Sequence, residues 1–309
     1  MRRILAGLSL LFGLAWAAWL RVPAPVGDVY RLAASQGVLY AGSYTSGIYR
    51  KLPGHPWQRV LPADDFVSAL SAAGSWVYAG LQRCNLAGYC QDLGIYASSN
   101  QGLTWHQGGL SGQYIDDLAA TASDPKTLWA ATRRGVYVSR DGASHFLLVL
   151  AVPALSVAVD PWNPRWVLVG TFTQGIFQSH DGGASWSQIQ LGNGYIPAVA
   201  FGPGSLEYAG SSACDNSGCT GDVYRSLNGG ATWQGAGLGA GIARIRVNPQ
   251  IPNEVALGTY VDGVYLSTNS GASYISINPS RNNYDVTDLA FWSGKLYAEL
   301  FEGGLFRWQ

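Results

Sequence analysis

The sequence is poor in charge. Acidic and basic side chains make up 12% of its 309 residues, and 19 of one sign balance 19 of the other, for a formal net charge of zero. A globular chain usually carries about 25% charged residues. The balance excludes a nucleic-acid partner, which needs a basic stripe to displace phosphate counterions. Beyond residue 20 no long segment has the amphipathic period of a helix. Histidine and cysteine are few, four of each. No phosphate-binding glycine loop, zinc signature or nucleophile elbow stands in the chain, so neither a cofactor nor a metal is expected. Glycine is abundant, at 40, beside 17 Tyr and 12 Trp. Such a composition suits short strands joined by tight turns.

The N-terminus has the pattern of an export signal. Arg2 and Arg3 precede an apolar run from Ile4 to Trp16, and Ala15-Trp16-Ala17 has the small-x-small form of a cleavage site. Residues 1–17 are expected to be a signal peptide, with the mature domain at 18–309. The alternative is an uncleaved anchor, since the run extended to Leu20 approaches the length that spans a bilayer. That alternative would tether the protein to a membrane. Either way the domain lies outside the cytoplasm. The cysteines agree, falling in two local pairs, Cys84 with Cys90 and Cys214 with Cys219. Short disulfide loops fit an oxidising compartment. Zinc is the other possibility for paired cysteines, but no His lies near either pair.

The dominant signal is repetition. A glycine followed by a short apolar-aromatic stretch recurs at Gly47-Ile48-Tyr49, Gly94-Ile95-Tyr96, Gly135-Val136-Tyr137, Gly175-Ile176-Phe177, Gly221-Asp222-Val223-Tyr224, Gly263-Val264-Tyr265 and Gly304-Leu305-Phe306. Seven copies at intervals of about 40 to 47 residues predict an all-β fold, a seven-bladed β-propeller of four-stranded antiparallel blades. Strand A is short and apolar, as at Ile115 to Ala119. Strand B ends in Ala-Gly, as at Val77-Tyr78-Ala79-Gly80. Strand C is the recurring element, and strand D follows a tryptophan such as Trp105.

Between strands C and D lies a recurring hairpin, fullest at Ser179-His180-Asp181-Gly182-Gly183-Ala184-Ser185-Trp186. Asp or Asn accepts nearby backbone N–H groups, glycine supplies positive φ, and the aromatic residue anchors the turn. Asn100, Asn228 and Asn269 stand where Asp141 and Asp181 stand elsewhere, so turn chemistry, not catalysis, explains the acid. The pattern S-x-D-x-G-x-x-W resembles the Asp-box, or BNR, repeat shared by sialidases, sortilins, xyloglucanases and the photosystem II assembly-factor family. The resemblance covers about Val29 to Gln309 and implies a propeller. It implies no single activity. The arginine triad and the F/Y-R-I-P stretch of sialidases have no match here. Xyloglucanases work with two facing propellers, whereas this chain has one. Of the arginine-rich face of the assembly factors, only Arg83, Arg133 and Arg134 approximate a counterpart.

The last repeat stops after strand C. Trp19 precedes Val29 by the spacing at which Trp105 precedes Ile115, so Ala18 to Val22 is a candidate for the missing strand D of the seventh blade. The alternative is that Trp19 merely ends the signal. Closing the ring this way would remove exposed sheet edges.

Loops B–C and D–A fall on one face of such a ring, and both cysteine pairs lie in B–C loops. That face carries Tyr44, Arg83, Arg133, Arg134, Phe172, Tyr260, Asp262, Phe301 and Glu302, an aromatic and mixed-charge set suited to a glycan or a protein partner. Arg31, Asp117, Arg244 and Asp288 occupy matching places in strand A and are expected to line the central channel, with Asp288 and Arg31 as a candidate pair. They would hold a polar ligand or simply compensate one another. Asp64, Asp65, Asp116, Asp117 and Asp285, near the starts of inner strands, leave a carboxylate pair for glycoside hydrolysis conceivable. The expectation from sequence is a monomeric, non-enzymatic binding or assembly scaffold with a protein or glycan partner. The alternative is a glycoside hydrolase or lyase acting on polysaccharide.

Overall fold

The chain folds as seven blades, each a sheet in the order A–B–C–D from the centre outward. The computed structural model describes residues 18–62, 64–85, 88–216, 218–278, 285–301 and 303–309. The inner strands are Val29–Ser35, Phe66–Ala73, Ile115–Thr121, Ala154–Val159, Ala198–Phe201, Ile242–Val247 and Val286–Trp292. Each touches the next, and the seventh touches the first, so the sheets close into a ring around a channel. The fold is therefore the seven-bladed propeller that the repeats predict. The signal or anchor expected at residues 1–17 lies outside the described residues. Among the described residues no helix is long and apolar enough to cross a membrane.

A blade cannot hide its own apolar faces, and the ring supplies what it lacks. Among the described residues the buried side chains form seven clusters, one at each seam between neighbouring blades. The glycine that ends strand B is explained at these seams. A Cβ on Gly80 would lie 2.6 Å from Ile115 Cβ of the next blade, and one on Gly258 would lie 2.6 Å from Val286 Cγ1. Gly42, Gly170 and Gly210 face Val67, Ile196 and Ile242 in the same way. Where strand B carries Ala131 instead, the next inner strand carries the smaller Ala154, so the pair keeps its volume. Gly80→Ala is thus expected to lower stability by about 1–3 kcal/mol through overpacking. Adding Ile115→Ala should recover part of the loss in a denaturant titration. A neutral Gly80→Ala would refute this account of the seam.

The ring closes through the segment before the first blade. Trp19–Arg21 pairs antiparallel with Gly304–Trp308, in the register Trp19 to Trp308 and Arg21 to Phe306. The Trp19 indole N–H donates to the Ile277 carbonyl, and its ring packs on Trp308 at 5.4 Å. Trp19→Ala removes both contacts from the one blade built from two distant segments. A drop of about 2–3 kcal/mol in unfolding free energy is expected. An unchanged midpoint would mean that the strand contributes nothing to closure.

The C–D hairpins are held by their own polar atoms. Ser98 Oγ accepts the Gly102 N–H at 2.9 Å, and Asn100 Oδ1 accepts the Thr104 N–H at 2.9 Å. Asp181 Oδ1 accepts the Ser185 N–H at 2.9 Å, and Ser185 Oγ donates to Oδ2 at 2.6 Å. In the degenerate copy Ala143 itself takes φ of 74° and is fully buried. Hydrogen bonds from Ser185 and Ser179 hold the Asp181 carboxyl well below the usual range, and those from His145 and Ser139 do the same for Asp141. Both cysteine pairs form disulfides, Cys84–Cys90 and Cys214–Cys219.

Candidate active site at the channel mouth

The inner strands do not run regularly into the loop face. In six of the seven the register slips by one residue near the start, as between Ile115 and Asp117 and between Val286 and Asp288. A bulge of this kind leaves one residue unpaired and re-aims its side chain. In the third blade that residue is Asp116, and in the first it is Tyr30.

Asp116 lies at the mouth of the channel with its side chain only 9% exposed. Oδ1 is 3.9 Å from Arg133 Nε, and the buried Oδ2 has no hydrogen-bond partner among the described residues. Burial pushes the carboxyl up to about 7, against the pull of Arg133 and Arg31. The charges of Asp117 and Asp92 push it the same way as burial. A carboxyl that keeps its proton near neutral pH beside an open face can act as a general acid.

Below Asp116 the channel narrows over Arg31, Asp117, Arg244, Arg246 and Asp288. Asp117 joins two blades: its Oδ2 accepts the Val157 N–H at 3.1 Å and Oδ1 accepts the Leu118 N–H at 2.9 Å. Asp288 does the same between the seventh and first blades, accepting the Leu32 N–H at 3.0 Å. Its ion partners are Arg246 at 2.7 Å and Arg244 at 3.7 Å, from the sixth blade. The expected Asp288–Arg31 pair is not formed. The Arg31 Nε donates instead to the Ser68 carbonyl at 2.7 Å, which turns the guanidinium toward the second blade.

The residues expected on the binding face divide into separate contacts. Arg133 lies over the rings of Tyr114 and Phe172, at 5.4 and 5.6 Å. Phe172 meets Tyr195 edge-on, and Tyr260 lies beside Tyr195 and Arg244. Tyr44 packs with Tyr30 and Phe66. Arg83 forms a two-pronged pair with Asp65, at 2.7 and 3.0 Å. Arg134 and Phe301 are exposed, and Asp262 is half-buried where its carbonyl accepts the Asn278 amide. Glu302 lies outside the described residues. Tyr114, Tyr195 and Arg246 were not singled out from the sequence. Arg246 had a signal, since it follows Arg244 by the two-residue period that puts side chains on one face of a strand. Tyr89, 77% exposed in the Cys84–Cys90 loop, had none.

The chain is similar in sequence to two curated proteins. It is 25% identical to a xyloglucanase of Paenibacillus over 226 residues, which are 68% of this chain and 22% of that protein. It is 30% identical to a probable oligoxyloglucan-reducing end-specific xyloglucanase of Neosartorya fischeri over 189 residues, or 54% of this chain and 23% of that protein. The chain thus spans less than a quarter of the length of these relatives. No family model matches the chain. Among solved structures, the xyloglucanase of Xanthomonas campestris superposes with a TM-score of 0.73 at 18% identity, covering 94% of this chain and 53% of that one. That likeness shows the propeller fold alone. The relatives named here are glycan-cleaving enzymes, which overturns the expectation of a non-enzymatic binding or assembly scaffold. The alternative, a glycoside hydrolase, is the better supported.

Proposed function

We propose that this propeller is a glycoside hydrolase acting on a xyloglucan-type polysaccharide, with its site at the channel mouth on the loop face. The observation that carries the proposal is Asp116, a buried carboxyl with an unpartnered oxygen, aimed into the mouth by a bulge. Hydrolysis of a glycosidic bond needs a carboxylic acid for the leaving oxygen and a carboxylate for the water. Asp116 is the acid. Of the two carboxylates whose charge raises it, Asp117 is bound by backbone N–H groups, whereas among the described residues Asp92 Oδ1 accepts only the Gln82 amide, at 2.9 Å. Asp92 is the base. As the bond breaks, the Asp116 proton passes to the leaving oxygen. Water adds to the anomeric carbon and gives its proton to Asp92, and solvent then returns both groups to their starting states.

The exposed rings of Tyr44, Tyr89 and Phe301 on the same face suit stacking on sugars. The hairpins are Asp-box repeats on this reading, residues 1–17 are an export signal, and the domain from residue 18 works outside the cytoplasm. The two disulfides support that location. The test is incubation of purified protein with xyloglucan, cellulose, xylan and pectin, followed by measurement of new reducing ends. Release from xyloglucan above cellulose and xylan is expected. Release from none of them would end the proposal.

A further inference from the structure

Arg31 is a buried cation that lacks an ion partner. The residue is 7% exposed, and among the described residues no carboxylate oxygen lies within ion-pair distance of it. Its guanidinium lies over the Tyr30 ring at 4.0 Å and donates only to carbonyls, those of Ser68 and Tyr30. A second guanidinium, Arg244, faces the same constriction with its side chain 19% exposed. It donates to the Ala243 carbonyl at 2.7 Å and reaches Asp288 only at 3.7 Å. Asp288 is already engaged by Arg246 and by the N–H groups of Leu32 and Leu289. Burial and the neighbouring Arg244 both act against the charge of Arg31. Three guanidiniums therefore face two carboxylates, Asp117 and Asp288, with Asp116 as a third that burial keeps protonated below about 7. The space among them is about 20 Å³, room for a small group and too little for a sugar ring.

We infer that Arg31 and Arg244 form a subsite for a carboxylate, and that its source is a uronic acid carried as a branch on the otherwise neutral glycan. A buried guanidinium without an anion is costly, and a carboxylate matches its planar donors. The sugar ring stays at the mouth among Tyr30, Tyr114 and Tyr260, while its carboxylate enters the constriction. The identity of the ligand as a sugar rests on the hydrolase reading; the binding of a carboxylate does not.

The test titrates the full mature chain with methyl glucuronide, methyl glucoside and acetate, following the arginine side-chain NMR signals. Glucuronide should shift Arg31 and Arg244 and leave Arg83 in place. It should bind at least about tenfold more tightly than the neutral glucoside. Acetate should shift the same two signals more weakly. Acetate binding as tightly as glucuronide would overturn the sugar acid as the source. Equal binding of glucuronide and glucoside, or no movement at Arg31, would overturn the subsite. Arg31→Gln should weaken glucuronide by about tenfold or more, and Arg31→Lys by less. If Arg31→Gln does not fold, the wild-type signals still decide. Glucuronide binding without any polysaccharide cleavage would leave the subsite standing and remove the hydrolase.

Discussion

Asp116→Asn is expected to lower hydrolysis of xyloglucan by about 10²–10⁴-fold, the usual worth of a positioned general acid. The amide keeps the size of the carboxyl and cannot give up the proton. Because burial raises the group to about 7, the wild-type rate should fall as pH rises through that value, where Asp116 loses its proton. The sign separates this site from the hairpin acids. Asp181 sits in a turn that other repeats build with Asn, and its carboxyl is held below the usual range by hydrogen bonds within the turn. Asp181→Asn should therefore leave the rate and its pH profile unchanged. Kinetics on the two variants across pH 5 to 9 check both statements. An Asp116→Asn enzyme within a few-fold of wild type would remove Asp116 from the chemistry.

Stability is expected to fall as pH rises from about 5 to about 8, the reverse of the trend set by salt-bridged carboxylates. Glu207 and Glu299 are 0% and 2% exposed, and each has one oxygen without a partner among the described residues. Burial pushes both carboxyls up to about 8, although the Gln178 amide opposes this at Glu207 and the charge of Arg21 opposes it at Glu299. In the unfolded chain they titrate near the ordinary value of 4.5. Between that value and about 8 the folded protein holds protons that the unfolded chain has lost. Folding stability is thus fully present below the unfolded value and is lost as pH climbs toward the folded one. At roughly 1.4 kcal/mol per pH unit, each glutamate removes about 4 kcal/mol across this window. Urea midpoints should drop from pH 5 to pH 8, and Glu207→Gln with Glu299→Gln should flatten the slope. Midpoints that rise over this range would show that the two groups ionise inside the fold at no cost.

Glu299 also shows where the repeat stopped being informative. It stands after Tyr297-Ala298 where Tyr208-Ala209 is followed by Gly210, and so it places an acid at a seam position that holds glycine or, in the third blade, alanine. The position could be read from the repeat; the partners that surround it could not. The architecture as a whole was legible because seven units share one burial problem and solve it with the same residues. The closing strand was legible as well, from the spacing of Trp19 to the first inner strand. Side-chain partners across seams were not. The Arg31–Asp288 pair failed because the Arg31 guanidinium turns to the Ser68 carbonyl, while Asp288 is taken by Arg246. Asp116 was visible only as one of several acids near strand starts. Its bulge and its unpartnered oxygen, which set it apart from the exposed Asp64 and from Asp65 in its pair with Arg83, are properties of packing.

The function was the least legible part, since a propeller scaffold accepts many sites. Relatives that are xyloglucanases corrected the expectation of an inert scaffold, and the channel mouth then supplied a group suited to that chemistry. The most direct measurement is a carbon-13 titration of the Asp116 carboxyl in the folded protein. The account predicts a midpoint near 7 that moves down when Arg133 gains access to it in a ligand complex or up when Arg133 is replaced by Met. A midpoint near the ordinary value of 3.8, insensitive to Arg133, would show an ionised surface acid and contradict the proposed site.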